Sequence, residues 1–548
     1  MTYRMIIPRL ILLVLAFTAA GPAQKTSHPP IMPRQVWTGA DGEAREELPI
    51  GFTAREWENR AAIRDNGRST DPPPFPIRNI PEFERMQGVL IRYPLGIPVD
   101  LVRQFAEDVT VYCLVAAAQQ SSAVAAFQSA GVNPDQVEFI TGNTDSYWTR
   151  DYGPWWVVDG NGDISVVDFT YNRPRPNDNL APWKVADYLS APYFASDIIH
   201  TGGNYMTDGF GISASSDLVY VENPTLAADQ ILTVMNQYYG IQTYHVLDDP
   251  NNTYIDHIDC WGKYLAPDKV LIRSVPESHS QYAEIEAVAD YFATQNGPYG
   301  RPYTVVRVFT PNDEPYTNSL ILNNKIYVPM VPWGGDNNQA AIETYQAACP
   351  GYTIVPVDPP AGNEWLSTDA LHCRAKGIPD QGLLEILHIP PADPETPDTV
   401  ILKARIVPHS GAGLLSDSLG IKWYSAVHPS AMEIPAAQHG VTDSFQVRFP
   451  PPPATTTIYY HWVAADSSGR RETSPLAGDF SIRIPGILAP GDVSMDRELS
   501  ISDLIRIMDA VNTGEVLEGY EALLADYDGN GAVNLLDGIL LLNQIMNE

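Results

Sequence analysis

Tyr254-Ile255-Asp256-His257-Ile258-Asp259-Cys260-Trp261 sets an imidazole and a carboxylate two residues apart in an apolar stretch that runs on through Gly262-Lys263-Tyr264-Leu265. Read as a strand, it points residues i and i+2 to one face, so His257 and Asp259 enter one cavity side by side. Taken alone, the pair reads equally as a buried hydrogen-bonded couple. On both sides of it, from Pro81 to about Ile378, strand-like and helix-like runs alternate. Gly88–Tyr93 reads as a strand, Val99–Ala106 as a helix and Val109–Val115 as a buried strand. That alternation predicts an α/β domain.

The chain has 548 residues, more than one core accommodates, so about three or four domains are expected. Its 48 prolines and 39 glycines favour short strands and turns. A formal net charge of −32 argues against nucleic acid or an anionic membrane as partner, because phosphates would be repelled. Arg4 and Arg9, the apolar run Leu10–Phe17 and the small residues Thr18-Ala19-Ala20 compose a secretory signal over 1–20. A membrane span needs about 20 apolar residues, which neither this run nor any later one supplies. The expectation is a soluble, secreted or cell-surface-associated protein. Export permits disulfides, but Cys113, Cys260, Cys349 and Cys373 allow three full pairings as well as free thiols.

Residues 21–76, with His28-Pro29-Pro30 and Asp71-Pro72-Pro73-Pro74, read as a leader and linker that wraps on the next domain. The α/β domain is placed at 77–384. Over 385–485 short strands alternate with turns: Val400–Val407, Ile421–Tyr424, Phe445–Phe449, Ile458–Ala465 and Phe480–Ile484, with Asp466-Ser467-Ser468-Gly469 as a turn. This predicts an immunoglobulin-like β-sandwich. After a linker at 486–490, residues 491–548 form a last module. Asp526, Asp528, Asn530, Gly531, Asn534 and Asp537 follow the spacing of a calcium loop, with glycine at the sharp turn. Asp492, Ser494, Asp496, Ser500 and Asp503 repeat the layout, with Arg497 in the glycine's place. Each loop leads into an apolar helix, Leu504–Val511 and Gly538–Met546. The pair resembles a type I dockerin, a small α-helical module, which implies Ca2+ and a cohesin-like partner.

The α/β domain carries further polar clusters. Tyr147-Trp148-Thr149-Arg150-Asp151-Tyr152 sets a charged pair among aromatics, and Gly202-Gly203-Asn204-Tyr205-Met206-Thr207-Asp208-Gly209 is a glycine-rich turn with a carboxylate. Tyr316-Thr317-Asn318-Ser319 leads into a strand, and Leu371-His372-Cys373-Arg374 places a thiol beside basic residues. Singly, each reads as structure: an ion pair, a turn cap, buried packing. Together they supply what attack on a cationic planar carbon needs. Carboxylates grip a guanidinium, a thiolate attacks its carbon, and a histidine moves protons.

These segments closely resemble a bacterial-type peptidylarginine deiminase, related to the agmatine deiminases of the guanidino-group-modifying superfamily. The resemblance runs from about Pro81 to Pro485. It implies a pentein fold, a five-bladed α/β propeller with the site at its axis, followed by the immunoglobulin-like domain. It makes Cys373 the nucleophile and His257 the general acid/base. Asp151 and Asp259 hold the guanidinium, Asn318 completes the pocket, and Trp148, Asp208, Tyr254 and Ile255 line the substrate channel. No cofactor is implied for catalysis. In Tyr171-Asn172-Arg173-Pro174-Arg175-Pro176 both arginines precede proline, which favours extended backbone and puts both guanidinium groups on one face. They match the family's clamp for the carboxylate of a C-terminal arginine. The alternatives are an agmatine or free-arginine deiminase and a catalytically inactive surface-binding protein.

Overall fold

The computed structural model describes residues 31–38, 44–252, 255–365 and 367–547. The signal-like residues 1–20 and Tyr254 lie outside the described residues.

Five sheets among the described residues repeat one topology, in which a strand runs antiparallel to a second and that second pairs in parallel with a third. Trp155–Val158, Ile164–Tyr171 and Tyr193–His200 form one such set. Met206–Thr207, Ile212–Ser216 and Thr243–Leu247 form another. Gly262–Ala266, Lys269–Ser274 and Thr304–Phe309, then Leu320–Leu322, Lys325–Pro329 and Thr353–Val357, complete two more. In the remaining sheet Met86–Tyr93 pairs in parallel with Thr110–Val115, and its antiparallel partner is Lys376–Pro379. The domain's start and end are therefore hydrogen-bonded to each other. A parallel pair cannot be joined by a hairpin and needs a crossover. Helices supply it: Val99–Asp108, Ala181–Leu189, Ala228–Tyr239, Tyr282–Thr294 and Asp336–Ala348. The first buries Leu101, Val102, Phe105 and Ala106, one stripe of an amphipathic helix. Every residue of Ile164–Tyr171 is buried, as expected of a strand covered on both faces.

Beyond His388 the strands belong to two sheets that share one apolar core, with Leu402, Ile406 and Val447 from one meeting Ile421, Tyr460 and Trp462 from the other. Alternating burial along Val400–Pro408 is the pattern of a strand with one wet face. Leu384–His388 pairs with Val400–Pro408, so the sandwich begins as soon as the α/β domain ends. Two forked ion pairs join the units: Arg85 with Glu472 (2.7 and 2.9 Å) and Arg470 with Asp380 (2.8 and 2.8 Å). The helices Ile501–Thr513, Gly519–Ala525 and Leu535–Asn547 close a small core of Val493, Ile507, Leu524 and Leu541, against which Ala454 of the sandwich packs. Residues 486–490 hug the sandwich, Ile487 and Leu488 donating to the carbonyls of Pro452 and Pro453.

The stretch expected to be a leader and linker is docked structure over most of its described length. Gln35–Thr38 pairs with Ala44–Glu47, and the helix Ala54–Glu58 is capped by Thr53 and Glu56 in reciprocal hydrogen bonds. Its docking partners are decisive for the site described below.

Glu385 is 3 % exposed and ties Arg78 (2.6 Å) and Arg405 (2.9 Å) at the junction of the two units. Burial alone would raise its carboxyl; Arg78, aided by His409 and Arg405, outweighs burial and holds it at about 2. A depressed carboxyl stabilises the fold above its unfolded value of 4.5, and that contribution is lost as pH falls through about 2. Glu385→Gln is expected to cost about 3 kcal/mol in urea unfolding at pH 7, with the gap to wild type narrowing in acid. An equal gap at both ends of the pH series would show that the charge pair is not its source.

Candidate active site

The segment before the first strand of each repeated unit is a tight turn. Thr149–Tyr152 precedes Trp155–Val158, Gly202–Asn204 precedes Met206–Thr207, Ile258–Cys260 precedes Gly262–Ala266, and His372–Arg374 precedes Lys376–Pro379. In the fifth unit Asn318 stands just ahead of Leu320–Leu322. Equivalent positions in five units thus bring Asp151, Gly203, His257, Asp259, Asn318 and Cys373 together. The strand expected over 254–261 is not there: His257 is extended, Ile258–Cys260 is one turn of 3-10 helix, and the strand starts at Gly262. The turn still delivers both side chains to one cavity. A Cβ on Gly203 would sit 2.6 Å from Asp151 Oδ1, 2.6 Å from His257 Nδ1 and 3.3 Å from Asp259 Oδ2, so position 203 has no room for a side chain.

Asn318 knots the site. Its Oδ1 accepts from the N–H groups of Ala370 (3.0 Å), His372 (2.9 Å) and Cys373 (3.4 Å), while Nδ2 donates to Cys373 Sγ (3.3 Å) and the Asp259 carbonyl (3.4 Å). The thiols of Cys373 and Cys260 donate to opposite oxygens of Asp259, each at 3.7 Å. Behind Asp259 stands a chain that sequence reasoning missed. His372 Nδ1 lies 2.6 Å from Asp259 Oδ2, and its Nε2 lies 2.7 Å from Glu82 Oε2. Glu82 is held in turn by Lys263 Nζ (3.1 Å), the Ile321 N–H (2.7 Å) and Arg150 (3.1 Å). His372 had a signal, since it adjoins Cys373; Glu82 is a lone carboxylate with none. The four cysteines are free and buried.

Burial sets the electrostatics. It pushes the Asp151 carboxyl well above the ordinary range, helped by the charges of Asp259 and Asp369, with Arg173 and the Gly203 N–H opposing. Burial would raise Asp259 too, but the His372 hydrogen bond and nearby positive charge bring it below its ordinary value. His257 is lowered to about 3 by burial, against the pull of Asp259, so its ring is neutral at pH 7. Burial, the Cys260 thiol and the carboxylates push Cys373 well above an ordinary thiol. Among the described residues, Asp151 Oδ1 and both ring nitrogens of His257 lack a hydrogen-bond partner, although Asp151 Oδ1 and His257 Nδ1 are 3.6 Å apart. Each such buried orphan costs about 1–3 kcal/mol, and a planar cation with several N–H donors would satisfy Asp151 Oδ1 and whichever ring nitrogen of neutral His257 is the acceptor.

Arg173 and Arg175 do converge: the Gly51 carbonyl accepts from both, at 3.2 and 3.0 Å. Arg173 also donates to the Ile50 carbonyl (3.0 Å) and lies over the Phe52 ring (4.4 Å). Arg175 donates to the Pro49 carbonyl (2.6 Å) and to Glu56 (2.7 and 3.4 Å). Trp148 donates to the Leu48 carbonyl (2.9 Å), and Ile255 is buried in the same apolar cluster as Cys373. Asp208 is not brought to this group. It closes the turn over 207–212, accepting from Phe210 (2.7 Å) and Ile212 (3.0 Å), and its charge acts on Tyr264, Tyr299 and Tyr303. A cavity of about 540 Å3 between the α/β domain and the sandwich, lined by Phe210, Tyr299, Arg301 and Phe480, lies away from the Cys373 group.

The C-terminal loops share one hydrogen-bond frame. Asp492 accepts from the N–H groups of Asp496 and Arg497, as Asp526 does from Asn530 and Gly531. Asp503 accepts from Ser494 and Ser500, as Asp537 does from Asp528 and Asn534. Arg497 takes φ 73° where Gly531 takes 87°, so the first loop bends without its glycine. Carboxylate oxygens of Asp526, Asp528 and Asp537 lie within 4.8 Å of one another, a donor set that suits a hard cation.

The five repeated units and their convergent turns define a guanidino-group deiminase of pentein fold. Residues 97–379, just over half of the chain, match the family described as Porphyromonas-type peptidyl-arginine deiminase, and the chain belongs to that family. It is similar to proteins provisionally named agmatine deiminase. The one from Streptomyces coelicolor is 24% identical over 276 residues, covering 45% of this chain and 80% of the relative. The one from Streptococcus mutans is 24% identical over 349 residues, covering 53% and 93%. A solved structure with the same provisional name matches in fold, with TM-score 0.50 at 21% identity over 56% of this chain and 96% of that one.

Proposed function

We propose that the chain hydrolyses the guanidinium of peptide arginine, a C-terminal arginine by preference, to citrulline and ammonia. The observation that carries this reading is the buried set of two carboxylates, a neutral imidazole and a protonated thiol with orphaned acceptors. A guanidinium between Asp151 and Asp259 supplies the missing donors, and its charge offsets theirs, which lowers the cost of forming a thiolate beside them. The Cys373 proton passes to His257 as the S–C bond forms. The C–N bond then breaks, and ammonia leaves with the proton from His257. His257 next takes a proton from water, whose oxygen attacks the thiouronium carbon; the C–S bond breaks and the thiol is restored. Asn318 and the Glu82–His372 pair keep Cys373 and Asp259 in place during these steps. In this reading the five units are blades about one axis, and the sandwich is immunoglobulin-like.

Arg173 and Arg175 support the choice of a C-terminal arginine, because agmatine has no carboxylate for them to hold. Citrulline formation is to be compared on a peptide ending in arginine, a peptide with internal arginine, free arginine and agmatine. The expected kcat/KM falls in that order, with internal arginine and free arginine both below the arginine-ended peptide and agmatine last. Charge-assisted contacts are worth about 1.5–3 kcal/mol each. Arg173→Ala or Arg175→Ala should therefore lower the ratio of arginine-ended peptide to agmatine turnover by about ten- to a hundredfold. An unchanged ratio would show that the arginines hold the fold and not a carboxylate. Agmatine as the best substrate would favour the activity named for the relatives.

We further propose that the chain is exported and that residues 491–548 are a dockerin-like module that takes Ca2+ and docks on a cohesin-like protein. Asp526, Asp528 and Asp537 would hold the ion, with Asn530 and Asn534 completing the loop; in the first loop Asp492, Ser494, Asp496, Ser500 and Asp503 would do so. Without a cation the clustered carboxylates repel, so chelation should loosen this module in the full chain. Hydrogen exchange with and without a chelator reads this. Equal protection of 526–537 in both would rule calcium out as a folding partner.

A further inference from the structure

Cys373 is fully buried, and so is Ile50, from a segment far away in the chain. Ile50 joins the apolar cluster that contains Trp148, Ile255, Trp365 and Cys373. Its neighbours Leu48, Pro49 and Gly51 each give a carbonyl to Trp148, Arg173 or Arg175, and Glu56 gives a carboxylate to Arg175. The successive carbonyls of Pro49, Ile50 and Gly51 and the Glu56 carboxylate are what the last residues of a peptide chain would offer the same arginines. The Glu56–Arg175 pair is buried, with side chains 11 % and 1 % exposed, so its hydrogen bonds are poorly screened. Beyond the helix Ala54–Glu58 the chain is exposed at Glu58–Ala61 and again at Ser69–Pro72, two places open to a protease.

We infer that residues 47–56 are an internal occupant of the peptide groove, with Glu56 standing in for a substrate carboxylate, so that the site opens only when this segment is displaced or cut. The inference rests on the deimination reading for what the groove receives, and the covering itself is measurable without turnover. In a substrate-free chain the segment hides the thiol. An arginine-ended peptide must compete with it, so its apparent affinity is reduced by the fraction of closed protein. Cutting at Glu58–Ala61 separates the occupant from the domain and makes its release a dissociation.

The test uses the full chain as wild type, Glu56→Gln and Ile50→Asp with Glu56→Gln, plus wild type nicked at Glu58–Ala61. The first reading is the rate at which iodoacetamide alkylates Cys373, mapped by mass spectrometry, with the fully buried Cys113 as internal reference for an intact fold. Loss of one charge-assisted contact and one buried side chain should speed Cys373 alkylation by about tenfold or more, with Cys113 unreactive. The nicked wild type serves the same purpose if the double variant alkylates at Cys113 and so is unfolded. The second reading is kcat/KM on the arginine-ended peptide, which should rise in the same order. Equal Cys373 rates in wild type and nicked chain would overturn the inference. Faster alkylation with no citrulline from any guanidine would uphold the covering segment and sink the deimination reading.

Discussion

Two carboxylates and a thiol are held together out of water, and like charges in a low-dielectric site cannot all ionise unaided. The structure divides them by environment. Asp259 is kept ionised by His372, which Glu82 steadies from behind with help from Lys263 and Arg150. Asp151 receives little beyond the Gly203 N–H and the distant charge of Arg173, and its carboxyl rises. Position 203 must then be bare, because any side chain would fill the gap between Asp151 and His257. Removing one partner from such a buried network leaves a charge uncompensated, at a cost of about 3–5 kcal/mol. The arrangement is tolerable because His257 and Cys373 stay neutral.

The repeated topology explains how so many polar groups reach one place. A short turn before the first strand of each unit lies outside its sheet, so it is free to carry unusual residues. None of this was readable as periodicity, since the units share topology and not residues, and first strands range from Met206–Thr207 to Gly262–Ala266 in length. The closing strand Lys376–Pro379 pairs with Met86–Tyr93 at the other end of the domain, a contact no local pattern predicts. What was legible had a local cause. Val99–Asp108 shows its helical stripe, and Val400–Pro408 alternates. The calcium-loop spacing returns as a hydrogen-bond frame used twice.

The misreadings are equally local. His257 and Asp259 do face one cavity, but through a 3-10 turn, because a two-residue separation alone cannot distinguish a strand from a bend. Asp208 sits in a motif otherwise at the site, yet its Oδ1 closes its own turn, accepting from Phe210 and Ile212. Residues 21–76 looked like linker because of the proline runs at Pro29-Pro30 and Pro72-Pro73-Pro74. The Thr53-x-x-Glu56 capping box was the legible sign of a helix there. That helix positions Glu56 on Arg175, so the stretch with the weakest signal turns out to touch the buried arginine pair.

The covalent attack proposed for Cys373 would leave a trace. The protein should be quenched in acid during turnover of an arginine-ended peptide, then digested and mapped by mass spectrometry. Thiol attack predicts the peptide's amidine carbon attached to the fragment that carries Cys373, and no such adduct in Cys373→Ala, which also forms no citrulline. Citrulline formation by Cys373→Ala at a rate near wild type, or an adduct on any other residue, would contradict it.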